Sequence, residues 1–516
     1  MEKIYSFFEN YDFSFERLQA LLAYQPQEPM LFSSGLFLIL FVLFLPLYYL
    51  LRKTKTARII YVVLFSLFFY YKSSGIYFLL LILTSTVDFI LGSAIYKAPS
   101  KGVRKLYVVL SLAFNLGMLG YFKYTNFLVE SFVAGYNGFL NLLGSSSATL
   151  SATPMDIFLP VGISFFTFQS MSYVLDLYRG EVKPLKRWID YLFYVSFFPQ
   201  LVAGPIVRAK DFIPQIHRVP FVSKAEFGEG LFLILSGVMK KTIISDYISL
   251  NFVDRIFDAP TLYTGFENLM GIYGYALQIY CDFSGYSDIA IGIALWLGFR
   301  FNINFDSPYR SATITEFWRR WHISLSTWLK DYLYISLGGN RKGRLRTYVN
   351  LIITMFLGGL WHGANIRFII WGLLHGVALA IHKMMLQLLP SLKKTGEEMP
   401  RFRRYIGMFI TFHLVCIGWV FFRASSMEVV SSMFSQIVEA FHPEVIGQFI
   451  VGYKTVFILI VIGYLVHFVP QKPMDKLTKG VAALPLWAQA LLFALVIVLV
   501  VQFRSSGVQP FIYFQF

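Results

Sequence analysis

The sequence predicts an all-α protein that crosses a membrane many times. Two observations carry that class. Of 516 residues, 56% are hydrophobic and 14% are charged, whereas a water-soluble domain carries about a quarter charged residues. The apolar residues also gather into fourteen segments, most of them bounded by short basic runs.

The net charge of +16 is clustered in those runs. They are Arg52 to Arg58, Lys97 to Lys105, Lys183 to Arg187, Arg341 to Arg346, Lys393 to Arg404 and Lys472 to Lys479. Cations between apolar segments mark cytoplasmic loops. No basic stripe interleaves with exposed aromatic residues, so no nucleic acid partner is expected. The two cysteines, Cys281 and Cys416, lie in apolar tracts and are read as packing residues. Residues 1–30 are polar and acidic, without the apolar core of a cleavable signal peptide.

In order, the apolar segments fall near 31–51, 59–72, 76–96, 105–122, 156–176, 188–203, 228–239, 265–281, 284–299, 347–361, 366–381, 405–422, 446–468 and 484–503. A full crossing needs about 20 apolar residues. Several segments are shorter, notably 228–239, which stops at Lys240 and Lys241. These are expected to be re-entrant or buried, and about eleven are expected to cross. With the basic runs inside, segments 59–72 and 76–96 form a hairpin and the N-terminal segment 1–30 lies outside. Segment 105–122 runs outward, and the weakly charged stretch "LLGSSSATLSATP" (Leu142 to Pro154) suits the outer face. The natural divisions are 1–30, the helices and outer loop of 31–155, a core over 156–384, and the C-terminal helices of 385–516. The expected location is a bacterial plasma membrane.

Between about 205 and 345 the pattern is less regular. Asp282 and Asp288 stand among apolar residues. Ser284, Gly285, Tyr286 and Ser287 between them suggest a broken helix, with the acids either on a proton or ion pathway or, the favoured reading, paired to buried arginines such as Arg300, Arg319 or Arg320. In "TEFWRRWHISLSTWLKDYLYISLGGNRKG" (Thr315 to Gly343), Trp318, Trp321, Leu325, Trp328, Leu329 and Tyr332 recur at helical spacing. That pattern predicts a tryptophan-rich helix at the cytoplasmic interface or dipping into the membrane.

Polar groups in hydrocarbon are costly and mark tasks. The pair Trp-His occurs twice, at Trp321-His322 and Trp361-His362. Each histidine either bonds a backbone carbonyl in a packed bundle or moves a proton. Segment 347–361 starts at a basic loop, and fifteen helical residues rise about 22 Å, short of a bilayer core of about 30 Å. His362 is therefore deep, and Gly363, Ala364 and Asn365 permit a turn after it. A neutral imidazole there could deprotonate a hydroxyl that attacks a thioester or ester carbonyl. His322 could orient the acceptor, polarise the carbonyl or share the proton. His375 and His382 are read as structural. Arg319, Arg320, Arg341 and Lys342 are candidates to attract donor phosphates. Trp321, Trp361, Asn365, Asp282 and Asp288 are read as cavity or supporting residues. No HExxH, P-loop or GxSxG pattern occurs, and no metal site is expected.

With these residues in view, the chain resembles bacterial members of the membrane-bound O-acyltransferase (MBOAT) family that acetylate alginate or peptidoglycan. The matching stretches are "PVGISFFTFQSMSYVLDLYRG" (Pro160 to Gly180), "FFPQLVAGPIVR" (Phe197 to Arg208), "YCDFSGYSDIAIG" (Tyr280 to Gly292), Phe301 to Gly343, and "GGLWHGA" (Gly358 to Ala364). The resemblance implies a ring of transmembrane helices around shorter tilted ones, which form the thin floor of a funnel, with 156–384 as the catalytic core. It places the family's essential histidine on His362 and its second histidine on His322. It implies a cytoplasmic acyl-CoA donor, typically acetyl-CoA, with no permanently bound cofactor. It also implies a separate extracytoplasmic partner, of SGNH acyltransferase or other polysaccharide-modifying type. A D-alanyl transfer protein for teichoic acid shares this core and is the alternative enzyme. A transporter or flippase is the alternative from another class; the absence of an internal repeat counts against it.

Overall fold

The computed structural model describes residues 15–26, 29–144, 150–202, 204–389, 399–503 and 511–512. Most of the expected outer segment 1–30, the middle of the loop 142–154 and the start of the basic run 393–404 lie outside the described residues. Among those described, helices make up the fold and no strand occurs. Five helical stretches are long and apolar enough to cross a membrane, or six if one bent pair counts as a span.

The first of these, Lys55–Lys97, folds back on itself. Arg187 donates to Thr56 Oγ1 at 2.9 Å, and the next residue, Trp188, donates to Thr86 Oγ1 at 3.1 Å. In a straight helix those threonines would stand about 45 Å apart. The reversal lies at Gly75, whose φ of 59° suits glycine. Residues 52–58 and 183–187 therefore share one face of the molecule. Lys210 pairs with Glu181 at 3.1 Å, Arg208 with Asp331 at 2.6 Å, and Arg58 donates to Ile216 O. All of these groups lie on that same face, called the basic face below. The Gly75 turn lies on the opposite face. So do Leu21 and Tyr24, since Lys72 donates to Leu21 O and Tyr24 N–H donates to Tyr71.

The run from Arg187 to Arg208 starts and finishes on the basic face. It enters as Trp188–Ser196, turns at Phe197, and returns through Phe198–Leu201. It is a re-entrant element, buried from Asp190 to Val202, which is how non-helical backbone is tolerated at membrane depth.

Three expectations for the middle of the chain change. Segment 228–239 is part of a longer run: Lys224–Val238 continues through wide π-helical turns to Asp258. Gly265–Trp296 is one helix of 32 residues, unbroken between Asp282 and Asp288. The partners of these acids are lysines, not arginines. Lys241 meets Asp282 at 2.6 Å and Asp246 at 2.7 Å, and Lys240 meets Asp288 at 2.6 Å. The two lysines that looked like the end of a span are instead countercharges, Lys241 buried and Lys240 partly so, because each has a carboxylate on the packed neighbour. Arg300 pairs with Glu226 near the surface. Segment 446–468 is likewise not one rod: its two helices meet at 97°.

The tryptophan-rich segment is divided too. It runs as Ile314–Arg320, Ile323–Trp328 and a π turn at Leu329–Tyr334, with a break at Trp321 and His322. Its tryptophans are buried in protein, not at an interface; Trp321 is 1% exposed. Helices Arg344–His362 and Ile366–Leu388 cross closely at Gly359 and Gly372. A Cβ on Gly359 would stand 2.2 Å from Phe368 O. Small residues at a helix crossing permit such backbone approach in membranes.

Candidate functional site

His322 is fully buried and is held by side chains. Its φ of 42° lies in the left-handed region, a strain of about 1–3 kcal/mol for a non-glycine residue. The surroundings that impose it are local. Asn304 O accepts from Ile323 N–H at 2.9 Å. Asn304 Oδ1 accepts from Ser324 N–H at 3.2 Å and from Ser324 Oγ at 2.9 Å, and lies 3.2 Å from His322 Nδ1. Asn304 Nδ2 in turn donates to Ser287 Oγ at 3.2 Å. With its amide so oriented, Asn304 Oδ1 can only accept. The network therefore assigns the proton of a neutral His322 to Nδ1, which puts the basic lone pair on Nε2. Phe283 packs edge-on against the imidazole at 4.5 Å.

His362 is the last residue of Arg344–His362, and its backbone is bound at several points. The final carbonyls of a helix have no partners within it. Here Gly363 N–H bonds Gly359 O, Tyr124 donates to Leu360 O at 2.6 Å, and Lys123 Nζ donates to both Trp361 O and His362 O at 2.8 Å. The imidazole sits among Trp361, Trp371 and Phe422, with ring centres 5.0, 5.0 and 5.2 Å away.

Trp361 neighbours both histidines. Its ring centre is 6.3 Å from that of His322 and 5.0 Å from that of His362. Phe168 stacks on it at 5.1 Å and on Trp328 at 3.8 Å, which fixes the indole in place.

Two clefts approach this group from opposite faces. The first is lined by Lys123, residues 159–165, Trp361 and His362, and encloses about 450 Å³ including the space at its mouth. Val161 N–H bonds Ser74 beside the Gly75 turn, so this cleft belongs to the face opposite the basic loops. Gly162 shapes its wall with a φ of 75° at a point where a Cβ would lie 2.7 Å from Leu201 O. The second cleft, about 610 Å³ on the same measure, is lined by residues 205–208, Asp211, Asn302, Ile303, Ile323, Ser324 and Thr327. Arg208 places it on the basic face. Ser324 joins that cleft to the Asn304 network under His322.

The structure thus brings His322, His362 and Trp361 together and separates the other candidates from them. Trp321 packs on Trp419 at 4.9 Å, in the core behind the site. Asn365 caps Ile366–Leu388, accepting from Arg367 N–H at 3.1 Å. Asp282 and Asp288 belong to the lysine pairs described above. Arg320 is bound by Glu316 and Asp306. Arg319, Arg341 and Lys342 are exposed, and none of the four lines either cleft. The cation in the wall of the basic-face cleft is Arg208. His382 meets Thr315 at 2.7 Å, and His375 is enclosed by Trp318 and Trp371. Asn304, Ser324, Lys123, Tyr124 and Trp371 were not singled out in the sequence. Among the described residues, no three His, Cys, Asp or Glu side chains are grouped to hold a metal.

Comparison with known proteins fits this architecture. The model of the membrane-bound O-acyltransferase family matches residues 185–426. The chain is 43% identical to a probable alginate O-acetylase of Pseudomonas aeruginosa over 412 residues, covering 78% of this chain and 74% of the relative. It is 37% identical to a peptidoglycan O-acetyltransferase of Helicobacter pylori over 429 residues, 77% of this chain and 78% of the relative. A teichoic acid D-alanyltransferase of Bacillus subtilis is more distant, at 30% over 278 residues, 51% of this chain and 68% of the relative. The chain belongs to the membrane-bound O-acyltransferase family and is an O-acyltransferase.

Proposed function

We propose that the chain takes an acetyl group from cytoplasmic acetyl-CoA and delivers it to a hydroxyl on the outer side of the plasma membrane, for O-acetylation of a polysaccharide. The observation that supports this most is the placement of two clefts on opposite faces, one reaching His362 and the other reaching Ser324 beneath His322. With the basic face inside, the thioester enters beside Arg208 and the acceptor enters beside Lys123. The N-terminal segment is then outside.

In this reading His362 is the general base. It takes the proton of the acceptor hydroxyl as the oxygen attacks the thioester carbon. A carbon–oxygen bond forms, the carbon–sulfur bond breaks, and the proton passes to the departing thiolate. His322, oriented by Asn304, polarises the acyl carbonyl when protonated or shares the proton. Preorganised groups in a water-poor site are effective at both tasks. The donor never crosses the membrane; only the acyl group does. A separate extracytoplasmic partner of SGNH type would complete transfer to the polymer, in keeping with acetylation of alginate or peptidoglycan by the named relatives.

The test is the content of alkali-labile acyl esters on surface polymers of the source cell, with and without this chain. Loss of acetate from a polysaccharide is expected. Loss of ester-linked alanine instead would support the D-alanyl reading, and unchanged esters would overturn both.

A further inference from the structure

We propose that Lys123 and Tyr124 form a clamp that positions His362 for acyl transfer. The inference rests on the reading of His362 as the base, but its observations are separate. Lys123 and Tyr124 belong to a π-helical turn, Gly120–Tyr124, that interrupts the helical stretch Lys101–Leu142. Such wide turns are rare inside α-helices and tend to mark functional positions. Consecutive residues of a regular helix leave it about 100° apart. In this turn both side chains reach one target, the last three carbonyls of Arg344–His362.

Those carbonyls need partners. The helix ends inside the protein, and Gly363 continues in extended conformation with φ of −162°. Buried backbone acceptors without partners are costly. The negative end of the helix also favours a cationic side chain there. Lys123 meets both demands at once, bonding the carbonyl of His362 itself, and it also lines the cleft into which His362 faces. Lys123 thereby fixes the point from which the imidazole projects. Tyr124 fixes the carbonyl two residues earlier. Lys123 is a positioning residue: it sets the direction of the base toward the acceptor and does not touch the donor cleft, whose lining lies on the other face.

The test uses sealed vesicles that expose the basic face, carry the full chain and enclose glycerol as hydroxyl acceptor, with acetyl-CoA as probe and CoA release as readout. Wild type, K123M, K123R, Y124F and H362A are compared at matched protein level. A positional error near the chemistry can cost up to about 100-fold in rate. The expected result is a kcat at least about tenfold lower in K123M with the KM for acetyl-CoA unchanged, substantial recovery in K123R, and a smaller kcat loss in Y124F. Wild-type kcat in K123M would overturn the clamp, as would a raised KM at unchanged kcat. If K123M does not accumulate, wild-type kcat in Y124F overturns it. Full activity in H362A would instead overturn the reading of the base, so the two failures are distinct.

Discussion

His322 and His362 both pack near one tryptophan, Trp361, yet they are held by different means. Side chains fix His322: Asn304 and Ser324 take its ring, and a left-handed backbone turn aims it. Backbone contacts fix His362: its carbonyl and the two before it are bound, while its ring lies among aromatic faces. The first histidine adjoins the cleft of the basic face and the second lines the cleft of the opposite face. A hydrogen-bonded imidazole has a fixed tautomer. His362 stands in the wall of its cleft. The difference suits an orienting or polarising group on the donor side and a base on the acceptor side.

That contrast can be broken at each histidine. The largest expected effect is at His362. Its replacement by alanine should lower acyl transfer by about 100-fold or more, the scale of losing a general base, at normal protein level in the membrane. Near wild-type turnover would remove it from the chemistry. The next effect is at Asn304. Its replacement by alanine leaves His322 and Ser324 without their shared acceptor, a loss of about 1–3 kcal/mol. Turnover should fall about tenfold, and H322A should gain little further from the added N304A change. Additive losses in the double variant would show that Asn304 does not act through His322. The smallest effect concerns the donor. R208Q should raise the KM for acetyl-CoA a few-fold and alter its salt dependence, since Arg208 is the cation in the wall of that cleft. R341Q with K342Q should leave both unchanged. The reverse result would return the donor phosphates to the loop Arg341 to Arg346.

The sequence made some of this legible and hid the rest for physical reasons. The two Trp-His pairs stood out because polar residues in apolar tracts are expensive, and the length of the apolar segment 347–361 pointed to a deep His362. The turn after it followed from Gly363 and Asn365, a hinge and a cap. Arg320 carried a visible sign that it was already occupied, since Glu316 precedes it by one helical turn. Lys123 carried no such sign, because its target lies 238 residues away. Asn304 was hidden in the same way, in a loop 18 residues before His322. Lys240 and Lys241 were misread because adjacent lysines at the end of an apolar run look like a membrane boundary. Only the packing of Lys224–Val238 and its π continuation on Gly265–Trp296 shows that carboxylates await them. The tryptophan periodicity was real, but the strained turn at His322 interrupts the single helix it predicts.

The central claim is that the histidine pair is reached from two faces of one membrane. The most direct measurement is thiol labelling in intact cells, using a chain in which Cys281 and Cys416 are replaced and a single cysteine is introduced. Ser164→Cys reports the cleft beside His362, and Thr327→Cys reports the cleft beside Ser324. An impermeant reagent should label Ser164→Cys in intact cells, slowly because the residue is half-buried, and should label Thr327→Cys only after the membrane is opened. Labelling of both from the same side would contradict the account, and the reverse pattern would invert the direction of transfer.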